Sequence, residues 1–504
     1  MNLTQNYSQS GNFYFARGAT GLLGIDSGSP IASFLLEQVD NANETVYGDG
    51  ASAYPRRQSY IAHFEDTWKV SPKLSVDYGV RYDLKTPVSE KFNRQSFFDP
   101  LGSNPGANNR PGRLAFAGNG WGSASYGAAY PEKVFYKGFA PRLGIAYSVS
   151  PRTVVRTGYG IFYGDIKMPS WNMGVVQDGF NSNPAFSSTQ GGMQAAFILS
   201  QGFPQNFAHP PFIDPSFLNG QGGPNYRPLD GNRLPYTQGW NLTIERQFTD
   251  NFYVSTAYVG NKGTRLYSGT APLNALNPSL LSSMGTKLFD QFGPNDTEVN
   301  GVVAPYAGWA SQMQACAPSV AQALQPYPQY CGGLQGLDET AGNSTYHSFQ
   351  IKAEKRTAHG IWMLTSYTLS KLLTNVETAL PWTEQGVTTG IISPFQRGRN
   401  KSLSGEDVPQ TLSVAFTYEL PFGRGKHWLA NARSPMNELV GGWTASGVFH
   451  AASASPFIFT SSYCNVPSQF QAICIPGVLP GANPFAQSKG SFDPTKGNRK
   501  NKYY

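Results

Sequence analysis

Eight charged residues, Asp77, Arg81, Asp83, Arg142, Glu245, Lys352, Glu354 and Glu419, stand in segments where every second residue is apolar. Successive side chains of an extended segment point to opposite sides, so these charges gather on the faces that the apolar residues leave free. Carboxylates and bases facing one watery lumen would suit a path for a polar ligand. The plainer reading is preferred: the acids are solvated, or paired with bases such as Arg81, Arg142 and Lys352.

Catalysis has less support. The chain carries no H-E-x-x-H zinc motif, no G-x-S-x-G nucleophile elbow and no phosphate-cradling G-x-x-x-x-G-K-[ST]. The histidines, His63, His209, His347, His359, His427 and His450, show none of the i, i+2 or i, i+4 pairing that would suggest a metal site. No enzyme activity, cofactor or bound metal is therefore expected. Cys316 with Cys331 and Cys464 with Cys474 form two close pairs in Pro/Gly-rich segments. Both are disulfide candidates in an oxidising compartment, with unpaired thiols as the alternative. A bridge closing a loop of about 15 residues would contribute roughly 3 kcal/mol in the chain-entropy picture.

The elements that must position the charges are strands. Leu74, Val76, Tyr78, Val80 and Tyr82 alternate with Ser75, Asp77, Gly79, Arg81 and Asp83, giving one apolar and one polar face. Such a strand suits lipid on one side and water on the other. Five hairpins are expected, at Tyr60 to Leu84, Gly138 to Gly164, Gly239 to Asn261, Tyr346 to Lys371 and Gln410 to Ala451. The first two turns repeat one motif, Val70-Ser71-Pro72-Lys73 and Val149-Ser150-Pro151-Arg152. Proline presets φ there and ends the pairing. The next two turn at Thr249-Asp250-Asn251 and Thr357-Ala358-His359-Gly360, and the fifth has a longer base from Pro421 onward, before Gly441-Gly442-Trp443 starts the return strand. A strand at Asn12 to Arg17 brings the expected total to eleven. Gly158-Tyr159-Gly160 inside a strand marks a bend or a close backbone approach.

Between the hairpins run long Gly/Pro/Asn/Ser-rich loops, Lys85 to Lys137, Asp165 to Tyr236, Thr264 to Asn343 and Leu372 to Pro409. Short turns alternating with long loops give a barrel its sides, turns to the periplasm and loops outward. Trp68, Tyr82, Tyr147, Trp240, Phe248, Phe252, Trp362, Tyr418 and Trp443 fall near strand ends or turns, where aromatic girdles lie. Charged residues are 14% of the 504, against roughly 25% in soluble domains. No apolar run is long enough for a membrane helix. The net charge of +7 owes much to the basic tail from Lys489 to Lys502, and no basic stripe points to nucleic acid. Met1 to Ser10 does not read as a signal peptide.

Set in order, these segments resemble one family. Phe64-Glu65-Asp66-Thr67-Trp68-Lys69-Val70, Tyr78-Gly79-Val80-Arg81-Tyr82-Asp83, Phe139-Ala140-Pro141-Arg142-Leu143-Gly144 and Gly239-Trp240-Asn241-Leu242 are similar to hairpins of TonB-dependent outer-membrane transporters. The Oar-like branch, which carries a carboxypeptidase regulatory-like domain, is the one resembled. So are Tyr258-Val259-Gly260-Asn261-Lys262-Gly263, Ser366-Tyr367-Thr368-Leu369-Ser370-Lys371, Tyr418-Glu419-Leu420-Pro421-Phe422-Gly423 and Gly441-Gly442-Trp443. The resemblance implies an all-β antiparallel transmembrane barrel of about 22 strands with a plugged lumen, of which this chain would supply about half, as an open sheet.

The expected organisation is 1–54, first strand and outer loop; 55–453, transmembrane hairpins with long extracellular loops; and 454–504, an outer loop and a truncated end. The implied function is active uptake of a siderophore, oligosaccharide or peptide across the outer membrane of a Gram-negative bacterium. The implied partners are outer-membrane lipid, an extracellular ligand and the TonB-ExbB-ExbD system, acting through a plug. The plug, the TonB box and the C-terminal strands are expected to be missing here, leaving a fragment unable to act alone. The alternatives are a surface-exposed structural or adhesive barrel without transport, and a soluble secreted β-sandwich that binds carbohydrate.

Overall fold

The computed structural model describes residues 3–4, 10–22, 25–48, 52–164, 175–268, 273–334, 336, 339–358, 360–376, 393–456, 464–472 and 474. Most of the expected end segment, 454–504, lies outside them, as does His359 in the fourth turn.

Ten long strands form one antiparallel sheet in chain order. They are β1 Ser59–Ser71, β2 Leu74–Lys85, β3 Phe139–Ser150, β4 Thr153–Tyr163, β5 Tyr236–Thr249, β6 Phe252–Leu266, β7 Gly342–Ala358, β8 Ile361–Thr374, β9 Gln410–Glu419 and β10 Thr444–Ala452. Each lies within a few residues of its expected place, because the alternation that marks a strand also fixes which of its faces is apolar. The eleventh member is different from the one expected. Ser402–Leu403 pairs with the end of β8. The early strand is Asn12–Tyr14, and it joins Asn41–Asn43 and Ala185–Ser187 in a small separate sheet. Its three residues form a loop ladder instead of crossing with the wall.

The repeated turn motif has a local cause. Ser71 Oγ accepts from the Lys73 N–H at 3.2 Å, and Ser150 Oγ accepts from the Arg152 N–H at 3.3 Å. Each serine satisfies a turn amide while the proline blocks further pairing. Gly360 closes the fourth turn with φ +78, a left-handed conformation that other residues adopt at a cost.

Register puts like with like. Asp77 pairs with Gly144, Gly144 with Gly158, Gly158 with Asn241, and Asn241 with Val259, which pairs with Ser348. One residue along, Val76, Ile145, Thr157, Leu242, Tyr258, Phe349 and Leu369 form the opposite row. Leu242, Tyr258, Phe349 and Leu369 of that row are exposed large hydrophobic side chains. A broad apolar face left open in this way needs a non-aqueous surround. Trp362 departs from the expected girdle, since its partner Thr417 pairs in turn with Ser446 on the polar face.

Candidate functional site: the polar wall and its loop cap

All eight charges share the polar face. Asp77, Arg81 and Asp83 alternate along β2, and Arg142 pairs with Gly79 of the same face. Glu245 pairs with Ser255, which pairs with Lys352, and Ser366 and Ser413 continue that row. Glu354 lies two residues beyond Lys352 and pairs with Leu364, which pairs with Ala415; Glu419 lies four residues beyond Ala415.

Their contacts are ion pairs of the kind expected, though mostly with bases other than Arg81, Arg142 and Lys352. Arg81 does hold Asp83, with Nε 2.8 Å from Oδ2. The other acids take further bases, which alternation does not single out as partners: Arg156 of the same face for Glu245 at 3.3 Å, Arg356 for Glu354 at 2.8 Å, and Lys426 for Glu419 at 3.1 Å. Asp77 accepts from Thr67 Oγ1 at 2.7 Å. Arg142 forms no ion pair among the described residues, and its guanidinium lies 4.9 Å from the centre of the Phe162 ring. Beside it Glu65, Asp77, Asn241, Asn261 and the glycines of neighbouring strands line a hollow of about 390 Å³. What approaches Gly160 is a side chain and not the backbone expected there: the Phe162 ring would lie 3.0 Å from a Cβ at that position.

The second part of the site is the long loops, expected as irregular and found to be folded. Among the described residues the largest fully buried side chains, Trp309, Tyr330, Phe97, Phe98, Phe116, Phe292, Leu114, Leu234, Leu276, Leu288, Met313 and Leu334, all lie in loops and none in the wall. Ser96–Asn104 and Arg110–Phe116 form a hairpin in the first loop, 86–138. Trp309 donates its indole N–H to the Pro328 carbonyl at 2.9 Å inside the third, 267–341. Arg227 in the second loop, 164–235, reaches back to Glu132 in the first at 2.6 Å, both side chains being 3% exposed. The trace of this cap in the sequence is faint: short apolar stretches such as Leu114-Ala115-Phe116-Ala117 and Phe97-Phe98, scattered in segments otherwise rich in turn residues. The structure joins Cys316 to Cys331 with Cα atoms 5.7 Å apart, and Cys464 to Cys474 with Cα atoms 5.3 Å apart. Those separations are ordinary for disulfides.

A family model described as an outer membrane beta barrel domain matches residues 1–503. The chain belongs to that family. An outer membrane β-barrel domain resides in the outer membrane, which supplies the surround that the apolar face needs. No curated protein matches the sequence. Among solved structures, the alcaligin outer-membrane receptor FauA from Bordetella pertussis is similar at 9% identity and a TM-score of 0.30, with 82% of this chain and 45% of that one covered. The outer-membrane transporter YddB from Escherichia coli is similar at 9% identity and a TM-score of 0.31, with 75% and 45% covered. The siderophore receptor PiuA from Acinetobacter baumannii is similar at 11% identity and a TM-score of 0.29, with 82% and 37% covered. The chain spans less than half the length of each of these proteins.

The cap of this outer membrane β-barrel domain also carries a pH-sensitive position. Burial raises the Asp178 carboxyl from 3.8 to about 6. The folded state therefore holds this proton more tightly than the unfolded chain does. The resulting stability is fully present below pH about 3.8 and is lost as pH rises through about 6, an effect of roughly 3 kcal/mol. Asp178→Asn is expected to remove that dependence and to raise amide protection around 175–180 at pH 7 relative to wild type. Equal protection of the two proteins at pH 7 and at pH 4 would sink this reading.

Proposed function

We propose that this outer membrane β-barrel domain is the barrel portion of an Oar-like TonB-dependent transporter that takes up a scarce siderophore, oligosaccharide or peptide. The observation that carries the reading is the pairing of a two-faced wall with a folded cap. A polar, ion-paired face offers a route through the membrane, and a structured mass of loops at the strand ends offers a surface that can select a ligand. TonB-ExbB-ExbD would act through a plug held against the polar face. Disulfides would staple the cap in the oxidising exterior.

The edges of the sheet bear on the same reading. Among the described residues β1 pairs only with β2 and β10 only with β9 in the sheet. Each unsatisfied backbone group in hydrocarbon costs several kcal/mol, so the wall works only when further strands cover both edges. Taken alone, these residues would not insert or transport.

The test is uptake in cells that make the full-length protein, offered a labelled ferric siderophore, an oligosaccharide and a peptide. One of the three is expected to accumulate, and disruption of TonB should reduce accumulation to background. Accumulation that survives loss of TonB would overturn the reading in favour of a passive barrel. Surface binding with no uptake of any of the three would favour an adhesive one.

A further inference from the structure

We propose that three of the long outer loops, 86–138, 164–235 and 267–341, open as one cooperative body instead of by independent loop motions. The inference stands apart from the transport reading, because it rests on how the loops are joined.

Three long loops share their cores. Phe98 of the first shares a cluster with Tyr330 and Leu334 of the third, and Leu218 and Tyr226 of the second pack against that cluster. Ala107 of the first loop joins Trp309, Leu288 and Met313 of the third, together with Phe470 from the segment beyond the last strand. No one loop can lose its apolar packing without stripping another, since a close-packed interior has little slack.

The polar contacts follow the same plan. The first and second loops are joined by the Phe98 N–H donating to the Asn225 carbonyl at 2.8 Å and the Leu114 N–H donating to the Pro215 carbonyl at 2.9 Å. Asn104 Nδ2 adds a bond to Asn219 Oδ1 at 2.8 Å. The second and third are joined by the Gly220 N–H to the Gln329 carbonyl at 2.9 Å and the Cys331 N–H to the Gln221 carbonyl at 2.7 Å. The first and third meet where Gln329 Nε2 donates to the Gly112 carbonyl at 2.8 Å. Every pair of loops is thus bonded directly, and opening any one of them leaves buried donors and acceptors unpaired in the other two. Segments coupled in this way exchange with solvent as one unit.

Hydrogen exchange read by mass spectrometry tests this on the full-length protein in outer-membrane vesicles, over rising urea below global unfolding. Peptides from 96–117, 212–226 and 273–334 are expected to converge on one common opening. Trp309→Ala, a change confined to the third loop, should speed exchange in all three by a similar factor of at least about tenfold. Val320→Ala is a milder loss in the same cluster and replaces it if that variant fails to assemble. Separate openings for the three segments overturn the proposal. So does acceleration restricted to 273–334 with the other loops within about twofold of wild type.

Discussion

Leu242→Arg is expected to destabilise the wall by about 2–4 kcal/mol, whereas Asn241→Arg beside it should cost less than about 1 kcal/mol. Leu242 stands near the middle of β5, between Thr157 and Tyr258, with its side chain exposed. A guanidinium there would face hydrocarbon. Asn241 stands between Gly158 and Val259 on the polar face and borders the hollow beside Arg142. An added guanidinium at that position finds water and room. Equilibrium unfolding of the full-length protein from lipid vesicles measures both costs. Equal costs at the two positions would mean that the faces are assigned wrongly.

The contrast depends on register, and register is the part of this protein that is legible in the chain. One strand such as β2 suffices to divide apolar from polar, because a slip of one residue would turn Tyr78 and Val80 into the lumen and Asp77 into lipid. The two Val-Ser-Pro-basic turns add the hairpin ends, since serine and proline act within four residues of sequence. Asn12–Tyr14 shows the limit of the same logic. Its residues favour a strand but do not specify a partner, and the partner is a loop segment, Asn41–Asn43.

The site divides in the same way. That the eight charges share a face follows from alternation, but their ion pairs do not. Glu245 takes Arg156, which is 89 residues away, and Glu419 takes Lys426 from the longer base turn. The cap was hidden for a related reason. Asn104 meets Tyr330 across 226 residues, and Gln329 meets Gly112 across 217. Residues that pack at such separations need no period, so Phe97, Leu114 and Trp309 read as stray apolar residues among turn formers. Loops of this length usually carry function or disorder, and composition alone does not distinguish a folded cap from a loose one.

Arg227→Met should destabilise that cap by about 3–5 kcal/mol, the usual cost of removing one partner from a buried ion pair. Arg227 donates through Nε to Glu132, through Nη1 to Gln95 Oε1 at 3.1 Å and through Nη2 to the Val88 carbonyl at 2.9 Å. Its loss strands three acceptors in a dry site. Glu132 would suffer most, because its Oε2 already lacks a partner among the described residues. The double variant Arg227→Met with Glu132→Gln separates the two contributions. Neutralising the orphaned carboxylate should recover part of the loss, since the largest share comes from a buried charge and not from the missing bonds. Proteolysis of 86–138 and 164–235 in vesicle-bound protein reads the effect in a region that the lipid does not protect. Cleavage rates of Arg227→Met equal to wild type would show that the pair lies in contact with water and holds nothing. A double variant as fragile as the single one would show that packing of the long Arg227 side chain, and not its charge, joins the two loops.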